Sequence, residues 1–288
     1  MPTPLPSVSI VIPAYNEQAA IRSCLLAAVM QTVPAHEIIV VDNRSTDDTA
    51  ERVRSVMAEH PNAPITLLAQ NDEQGLIPTR NVGLDAATGD VLGRIDADSI
   101  LEPNWVEQVQ LGFIDAAIAA ATGPVLYYDM PLRRFGLRAD DQTRRVILKL
   151  SRDYHFLFGS NMAIRASAWR QIRHEVCRDE SDLMHEDIDL SIHLAQHNLK
   201  VTYISTMVSG MSARRLEDSP RDYAFYVNRF DRTYAKHRLR NPMLRAPMVV
   251  FFAIYPIAKF LRSIKQRQDR ADAPAGHPAD GHADRGAR

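Results

Sequence analysis

The chain has 288 residues, 45% of them hydrophobic and 24% charged, which suits one large globular domain or two small ones and excludes collagen-like, coiled-coil and wholly disordered chains. The 34 basic and 35 acidic side chains give a formal charge of -1, so no overall field directs the molecule to nucleic acid. The two cysteines exclude a disulfide framework and a cysteine-rich zinc site, and no signal-peptide pattern opens the chain, so a cytoplasmic location is expected.

Apolar runs typical of strands alternate with helical patterns over the first hundred residues. The predicted strands are 8–12, 37–41, 65–68 and 91–95, and Asn16 is expected to cap the first helix. Four strands alternating with three helices predict an α/β fold with a mostly parallel central sheet flanked by helices. Because ligands bind outside the carboxyl ends of such strands, polar residues that directly follow a strand are candidates for a binding site.

The pattern changes after about residue 112. Residues 127–152 contain seven lysines or arginines and predict a loop followed by a helix. Residues 186–197 predict an amphipathic helix, and 201–204 is the final clear strand. We therefore place one α/β domain at 1–210, with halves at about 7–100 and 101–210.

The remainder divides into a basic and apolar helical extension at 211–266 and a patternless tail at 267–288, which is expected to be disordered. The uncharged run 246–258 is shorter than the roughly 20 residues needed to span a bilayer. Aromatic residues in this run and four cations just after it are typical of an interfacial membrane anchor. A helix packed on the domain, or in a dimer, is an equal alternative.

An acidic pair, Asp96 and Asp98, directly follows the predicted strand 91–95. Carboxylate oxygens at this spacing suit a divalent cation such as Mg²⁺ or Mn²⁺. By itself the pair is more typical of a solvated turn before a helix, so its interpretation as a cation site depends on the rest of the sequence.

Six short motifs follow one another in order along the chain. They are Val-Ser-Ile-Val-Ile-Pro-Ala-Tyr-Asn-Glu, Val-Val-Asp-Asn-Arg-Ser-Thr-Asp-Asp-Thr, Arg-Asn-Val-Gly, Asp-Ala-Asp, Gly-Ser-Asn and Glu-Asp. Their order and spacing resemble the family 2 glycosyltransferases, which have the nucleotide-diphosphosugar transferase fold called GT-A. The resemblance covers about residues 7–210 and implies a nucleotide-binding half followed by an acceptor-binding half.

The resemblance also implies roles for individual residues. The implied donor-binding residues are Pro13, Tyr15, Glu17, Asp42, Arg80, Asp96, Arg214 and Arg215. Among them, Tyr15 would pack on the nucleobase, Asp42 would accept a hydrogen bond from it, and the two late arginines would lie on a loop that closes over the diphosphate. Asp98 would ligate Mn²⁺ or Mg²⁺, which offsets the charge of the departing nucleoside diphosphate; His237 is a weaker candidate for a further ligand.

On the acceptor side, the resemblance implies that Asp187 is the general base that deprotonates the acceptor hydroxyl, with Glu186 and Ser160 nearby. The alternative for Asp187 is a carboxylate that stabilises the first turn of its helix. Two positions depart from the family pattern, since Asn43 stands where a second aspartate is common and Thr79 where alanine is common. No Gln-x-x-Arg-Trp motif follows Asp187, which argues against a processive polysaccharide synthase, as does the lack of a 20-residue apolar span.

These features predict an inverting, metal-dependent enzyme that transfers one sugar from a nucleotide-diphosphate sugar, with UDP-sugar preferred, to a hydroxyl acceptor in cell-envelope or exopolysaccharide synthesis. A GDP-mannose or dTDP-sugar donor and a polyprenyl-phosphate acceptor are the alternatives. A non-catalytic sugar-nucleotide-binding scaffold is the alternative from another class of protein. The expected partners are the donor and a glycan or lipid-linked acceptor, with peripheral contact of residues 246–267 with the inner face of the cell membrane.

Overall fold

The computed structural model describes residues 4–150, 156–179, 183–240 and 242–272, and its centre is a seven-stranded sheet. The strands of the chain are β1 (Val8–Ala14), β2 (Glu37–Asp42), β3 (Ile65–Ala69), β4 (Val91–Arg94), β5 (Ile100–Leu101), β6 (Ile118–Thr122), β7 (Val125–Tyr127), β8 (Met162–Arg165), β9 (Lys200–Tyr203) and β10 (Ser209–Met211). The sheet order is β3-β2-β1-β4-β8-β6-β9, and only β8 runs antiparallel to its neighbours. The predicted α/β fold with a mostly parallel sheet is confirmed.

Helices cover both faces of this sheet. They are α1 (Ile21–Val29), α2 (Thr49–Glu59), α3 (Leu76–Ala86), α4 (Trp105–Gly112), α5 (Arg133–Leu150), α6 (Ala166–Ile172), α7 (Glu186–Gln196), α8 (Pro220–Val227), α9 (Arg229–Lys236) and α10 (Ala246–Asp272). Side chains alternate across β1, so Ile10 and Ile12 pack with α1, α2 and α4, whereas Val11 packs with α3, α6 and α7. The result is a three-layer core in which the central strands are buried on both faces.

The position of β1 determines where a cleft can form. β1 pairs with β2 on one side and with β4 on the other, so the chain after β1 and the chain after β4 leave the sheet in different directions. A crevice at the carboxyl ends of the strands is expected at such a reversal of strand order. Strands β5, β10 and β7 form a small second sheet, in which β10 pairs with both of the others.

The C-terminal helices pack against α7 in a third apolar cluster, which joins residues of α5, α7, α8, α9 and α10. In this cluster the rings of Tyr223 and Tyr255 stack at 3.9 Å between centroids. The 3₁₀ turn Arg214–Glu217 precedes α8, and its Glu217 accepts a hydrogen bond from Arg262 of α10 at 2.9 Å. Helix α10 is therefore attached to the body of the molecule through both apolar and ionic contacts.

Several predicted details differ from the structure. Helix α1 begins at Ile21 with Ala20 at its N-cap, and Asn16 instead adopts a φ of 52° and accepts a hydrogen bond from the Thr46 backbone N–H at 2.8 Å. Strand 201–204 is not the last, because β10 follows it and runs through the predicted boundary at residue 210. Helix α10 continues to Asp272, so the disorder predicted for 267–272 is wrong, while the rest of that tail lies outside the described residues.

The apolar C-terminal segment is also longer than the sequence suggested. Over Ala246–Gln268, α10 is long and apolar enough by length and composition to cross a membrane, and 11% of its most apolar stretch is buried. The predicted lack of a 20-residue apolar span is therefore wrong. The missing Gln-x-x-Arg-Trp motif is then the remaining argument against a processive synthase.

Candidate active site

Three carboxylates and one arginine meet at the carboxyl ends of β1 and β4. The guanidinium of Arg214 binds both Glu17, at 3.0 Å from Nη1 to Oε2, and Asp98, at 3.1 Å from Nε to Oδ2. Asp98 is 8% exposed, and its burial and the neighbouring Asp96 carboxylate raise its pKa to about 6, although Arg214 opposes the shift. Three carboxylates thus lie together here, and Arg214 binds two of them while Arg94 lies 2.9 Å from the third, Asp96.

Asp42 ends β2 beside the same crevice. Its Oδ2 accepts a hydrogen bond from the Ser45 backbone N–H at 3.3 Å, whereas its buried Oδ1 has no hydrogen-bond partner among the described residues. Tyr15, the first residue after β1, is 51% exposed, and Pro13 lies buried within β1. A buried carboxylate oxygen without a donor is costly, so Asp42 is arranged to accept a further hydrogen bond.

Asn43 follows Asp42 and holds the loop before α3. Its amide donates to the backbone oxygens of Gln70 and Glu73 at 2.8 and 2.9 Å, and its Oδ1 accepts from the Gly75 N–H at 2.7 Å. An aspartate could not make the two donations. Asn43, which stands where an aspartate is common in the family, therefore has a structural role beside the carboxylate of Asp42.

A buried ionic triad lies beneath the crevice. Glu186 accepts a hydrogen bond from Arg80 at 2.7 Å and forms an ion pair with Arg94 at 3.1 Å, and the Arg94 guanidinium also lies 2.9 Å from Asp96. Burial would raise the pKa of Glu186, but the guanidinium groups of Arg94 and Arg80 hold it below its usual range. The ion pairs join α3, β4 and α7 under the strand ends.

Two sequence predictions differ from this arrangement. Arg80 is fully buried and its guanidinium is engaged by Glu186 and Asn81, so it does not extend into the crevice as a donor-binding residue. Glu186 is buried between two arginines rather than on the acceptor side. Both residues occupy positions from which they can hold neighbouring groups in place.

Asp187 is the second residue of α7, after Glu186, and is only partly buried. Its Oδ2 accepts from the Gly159 backbone N–H and its Oδ1 from that of Ile188, both at 2.8 Å. Burial and the carboxylate of Glu186 raise the pKa of Asp187 to about 7. A carboxylate held in this way, with a pKa near neutrality, is suited to take up a proton.

The remaining predicted residues make other contacts than these carboxylates do. The Arg215 guanidinium lies 3.9 Å from the ring centroid of Tyr226 on α8, so the structure separates it from Arg214, which faces the carboxylates. Ser160, in the loop before β8, is partly exposed. His237, the weaker candidate for a metal ligand, ends α9 and hydrogen-bonds Asp189 at 2.7 Å.

Sequence reasoning missed Arg94 and the function of Gly159. A Cβ atom added to Gly159 would lie 2.3 Å from Nη1 of Arg94 and 2.9 Å from Oε1 of Glu186, so a larger residue here would force this ion pair to shift. Arg94 closes the otherwise apolar strand β4 and is 1% exposed. A cation inside a buried strand needs a partner, and this signal was available in the sequence.

The comparisons with known proteins identify the family. The model described as "Glycosyl transferase family 2" matches residues 9–173, more than half of the chain, and the model described as "Glycosyl transferase family group 2" matches 94–268. The chain belongs to glycosyl transferase family 2.

Individual relatives match shorter segments. The chain is 36% identical over 110 residues to glycosyltransferase AglE of Haloferax volcanii, which covers 38% of this chain and 36% of that protein. It is 35% identical over 103 residues to chondroitin synthase of Escherichia coli, which covers 36% of this chain and 15% of that protein. The match therefore spans about a third or less of the length of these relatives.

Among solved structures, the mannosyltransferase PcManGT from Pyrobaculum calidifontis, in complex with GDP-Man and Mn²⁺, is similar with a TM-score of 0.63 and 20% identity. The similarity covers 94% of this chain and 77% of that one. At this identity the likeness establishes the GT-A glycosyltransferase fold.

Proposed function

We propose that the protein is a metal-dependent, inverting glycosyltransferase that transfers one sugar from a nucleotide-diphosphate sugar to a hydroxyl acceptor in cell-envelope or exopolysaccharide synthesis. The observation that carries this proposal is that Arg94 connects the Asp96 and Asp98 segment to the start of α7, because its guanidinium lies 2.9 Å from Asp96 and 3.1 Å from Glu186, the neighbour of Asp187. The carboxylates of Asp96 and Asp98 suit a cation bound to a diphosphate, and the carboxylate of Asp187 suits the role of proton acceptor.

The Oδ1 atom of Asp42 has no hydrogen-bond partner among the described residues, so it can accept a hydrogen bond from a nucleobase that carries a ring N–H group. Uracil, thymine and guanine each carry such a group next to a carbonyl, whereas neutral cytosine does not. We propose a UDP-sugar as the donor, with GDP-mannose and dTDP-sugars as the alternatives. The half-exposed ring of Tyr15 offers a surface for the base beside this carboxylate.

The carboxylates fit a divalent cation. Glu17, Asp96 and Asp98 supply hard oxygen atoms, and the side chain that bridges two of them is itself a cation, Arg214. A bound Mn²⁺ or Mg²⁺ would supply Lewis-acid stabilisation of the departing diphosphate. In the proposed donor complex Asp98 holds the ion, and Arg214 exchanges its carboxylate partners for diphosphate oxygens.

Asp187 is the proposed general base. Its two backbone hydrogen bonds fix the orientation of the carboxylate, and its raised pKa makes it a stronger proton acceptor than an ordinary aspartate. An acceptor hydroxyl that loses its proton to Asp187 attacks the anomeric carbon from the side opposite the diphosphate, which inverts that centre. Glu186, paired with Arg80 and Arg94, holds the start of α7 in place.

The test separates donor binding from transfer. Thermal shifts are measured with UDP, GDP, dTDP and CMP, each with Mn²⁺ and with EDTA, and stabilisation by one diphosphate only when the metal is present is expected. Asp187→Asn should then retain donor binding and lose about 10²- to 10⁴-fold in transfer to the acceptor or in slow donor hydrolysis. Asp115→Asn, an exposed aspartate beyond α4, is the matched control and should retain both.

Other outcomes would change the proposed donor, the proposed activity or the proposed base. Selective stabilisation by GDP instead of UDP would replace the proposed donor with GDP-mannose. Nucleotide binding without turnover in the wild-type protein, with a range of hydroxyl acceptors, would favour the non-catalytic scaffold. Full activity in Asp187→Asn would remove Asp187 as the base.

For the location, we propose that α10 lies in the surface of an anionic membrane. Its large apolar side chains divide into a face buried on the domain, with Met248 and Tyr255, and an exposed stripe. The stripe contains Val249, Phe252, Ile257 and Phe260, which are 67%, 42%, 65% and 64% exposed. Spacings of three to five residues place these side chains on one side of the helix.

Contacts of α10 with the domain support a peripheral rather than a spanning position. Lys259 and Arg262 point to the protein, since Lys259 donates to the Asp218 backbone oxygen at 2.5 Å and Arg262 pairs with Asp129 at 2.9 Å. The second partner, Asp129, lies shortly before α5 in the chain. Exposed apolar and basic residues lie at and just before the start of α5, namely Leu132, Arg133, Arg134, Phe135 and Arg138, a composition suited to an anionic lipid surface.

A further inference from the structure

Four metal-ligating side chains meet on α7, away from the Asp187 carboxylate. Asp189 and His193 are one turn apart on this helix, Cys177 follows α6, and His237 ends α9. Asp187 and Asp189 are two residues apart, which turns their side chains about 200° from each other on the helix. The cluster is therefore separate from the carboxylates proposed to bind the donor.

The ligand atoms are spaced as for one small ion. All four lie within 4.8 Å of one another. Nε2 of His193 is 3.5 Å from Oδ1 of Asp189, and Nε2 of His237 is 3.8 Å from Sγ of Cys177. Tetrahedral Zn²⁺, with bonds of about 2.0–2.3 Å, separates its ligand atoms by about 3.3–3.6 Å. The 2.7 Å contact between His237 and Asp189 would open by about half an ångström as the ion replaces their shared proton.

His193 provides an independent observation. Its side chain is 8% exposed, and neither ring nitrogen makes a hydrogen bond among the described residues. Buried imidazole nitrogens normally have partners, and here a carboxylate lies just beyond hydrogen-bond range of each one. Asp189 faces Nε2, and Oε2 of Glu175 lies 3.7 Å from Nδ1. This is the usual setting of a metal-bound histidine, with the ion on one nitrogen and an orienting carboxylate near the other.

We propose that Cys177, Asp189, His193 and His237 bind one structural Zn²⁺. Two imidazoles, a thiolate and a carboxylate form a closed set of the kind zinc prefers, whereas Mg²⁺ and Ca²⁺ favour oxygen ligands alone. Binding releases the Cys177 thiol proton to solvent. The ion ties the segment after α6 and the end of α9 to α7, the helix that carries Asp187 in its first turn, so its function is to hold the C-terminal helices on the catalytic domain.

The test measures zinc in the full-length protein and does not depend on catalysis. Elemental analysis after dialysis against a weak chelator is expected to give about one Zn²⁺ per chain. Removal by a strong chelator should lower the melting temperature by about 2–4 °C or more, and added Zn²⁺ should restore it. Co²⁺ loaded into the stripped protein should show the visible bands of a tetrahedral site and a thiolate charge-transfer band.

Variants separate this site from the rest of the protein. Cys177→Ser should lose the thiolate band, and Glu175→Gln should weaken zinc binding by about 10- to 100-fold while all four ligands remain. Cys24→Ser, at a buried cysteine outside the cluster, and Asp98→Ala, at the proposed donor metal, should both keep the zinc content of the wild type. Asp98→Ala thus makes failure of this proposal distinguishable from failure of the proposed donor site.

The opposite results overturn the proposal. If the wild-type protein neither retains Zn²⁺ nor is stabilised by it, these four side chains do not form a metal site. Equal zinc content in wild type and Cys177→Ser, with an unchanged cobalt spectrum, would assign the ion to other residues. Because the stripping and reloading experiment uses the wild-type chain, a variant that fails to fold does not decide the outcome.

Discussion

Glu186 and Asp187 are neighbours in the sequence, yet α7 turns their side chains about 100° apart. Glu186 lies buried between two guanidinium groups, whereas Asp187 is partly exposed and accepts hydrogen bonds from two backbone N–H groups. Removing one partner from a buried ion pair costs about 3–5 kcal/mol, because the remaining charge is left without solvent or counter-ion. The first residue of the pair is therefore needed for structure and the second for the proposed proton transfer.

Gly159 gives a prediction at this scale. Gly159→Ala should lower the free energy of unfolding by about 1–3 kcal/mol, because the added methyl group would lie 2.3 Å from Arg94 Nη1 and force the ion pair with Glu186 to move. Chemical denaturation of both proteins measures the difference.

Gly136, inside α5, is the matched control because a Cβ atom there meets nothing within 4 Å. Gly136→Ala should stabilise the protein by about 0.4–1 kcal/mol, so the same substitution is expected to have opposite signs at the two positions. A neutral or stabilising Gly159→Ala would show that the Arg94 side chain has room to shift.

The sequence predicted the surroundings of some residues of the crevice better than those of others. Asp98 was assigned from the Asp-Ala-Asp motif and Arg214 from the loop that the family resemblance implies, and the structure brings the two side chains to 3.1 Å. Their proposed roles stay predictions. Arg80 was assigned to the donor from the Arg-Asn-Val-Gly motif, but its partner Glu186 lies 106 positions later, and no local pattern indicates such a contact.

At the scale of elements, strands β1 to β4 and β9 of the sheet were predicted from their apolar runs, whereas β6, with the sequence Ile-Ala-Ala-Ala-Thr, was not. Strand β10 (Ser209–Met211) was missed because its three residues, Ser-Gly-Met, show neither a run nor an alternation. Its strand conformation depends on pairing with β5 and β7, far away in the sequence. Short strands of this kind are set by tertiary contacts and not by local preference.

Helix α10 gives the prediction for membrane binding. Ile257→Glu places a charge in the middle of the exposed stripe and should abolish sedimentation with anionic vesicles, since a carboxylate resists transfer into the acyl boundary and is repelled by the lipid charge. Circular dichroism and the melting temperature should not change, because the side chain is 65% exposed.

Ile114→Glu is the control for this variant. Ile114 is an exposed isoleucine just after α4, 53% exposed, and its substitution should leave vesicle binding unchanged. Wild-type protein that does not sediment with vesicles, or equal binding by both variants, would contradict the membrane proposal and favour a helix covered by another protein.

For the whole molecule, the sequence divided the chain at residue 210, whereas the packing crosses that boundary. Strand β10 pairs with strands of the first part, and the third apolar cluster contains residues of both α7 and the C-terminal helices. The α/β class and the sheet were predictable because the apolar periodicities are local. The packing of residues 211–266 on the domain was not predictable, because their apolar pattern is equally typical of a membrane helix and of a helix packed on a domain.

This continuity predicts one cooperative unfolding transition for the described part of the chain. Differential scanning calorimetry should give a single peak whose calorimetric and van't Hoff enthalpies agree, because the C-terminal helices share their core with α7. Two separate peaks would show instead that residues after about 210 fold as an independent unit.

The 3₁₀ turn Arg214–Glu217 connects two distant parts of the protein. At one end Arg214 binds Glu17 and Asp98, and at the other end Glu217 accepts hydrogen bonds from Arg262 and Gln266 of α10 at 2.9 and 2.7 Å. If donor binding draws Arg214 away from the carboxylates, the turn transmits that displacement to the helix that we place on the lipid surface. The two binding events then share a coupling free energy, and each changes the affinity of the other by the same factor. The protein would thus bind its donor differently on a membrane and in free solution.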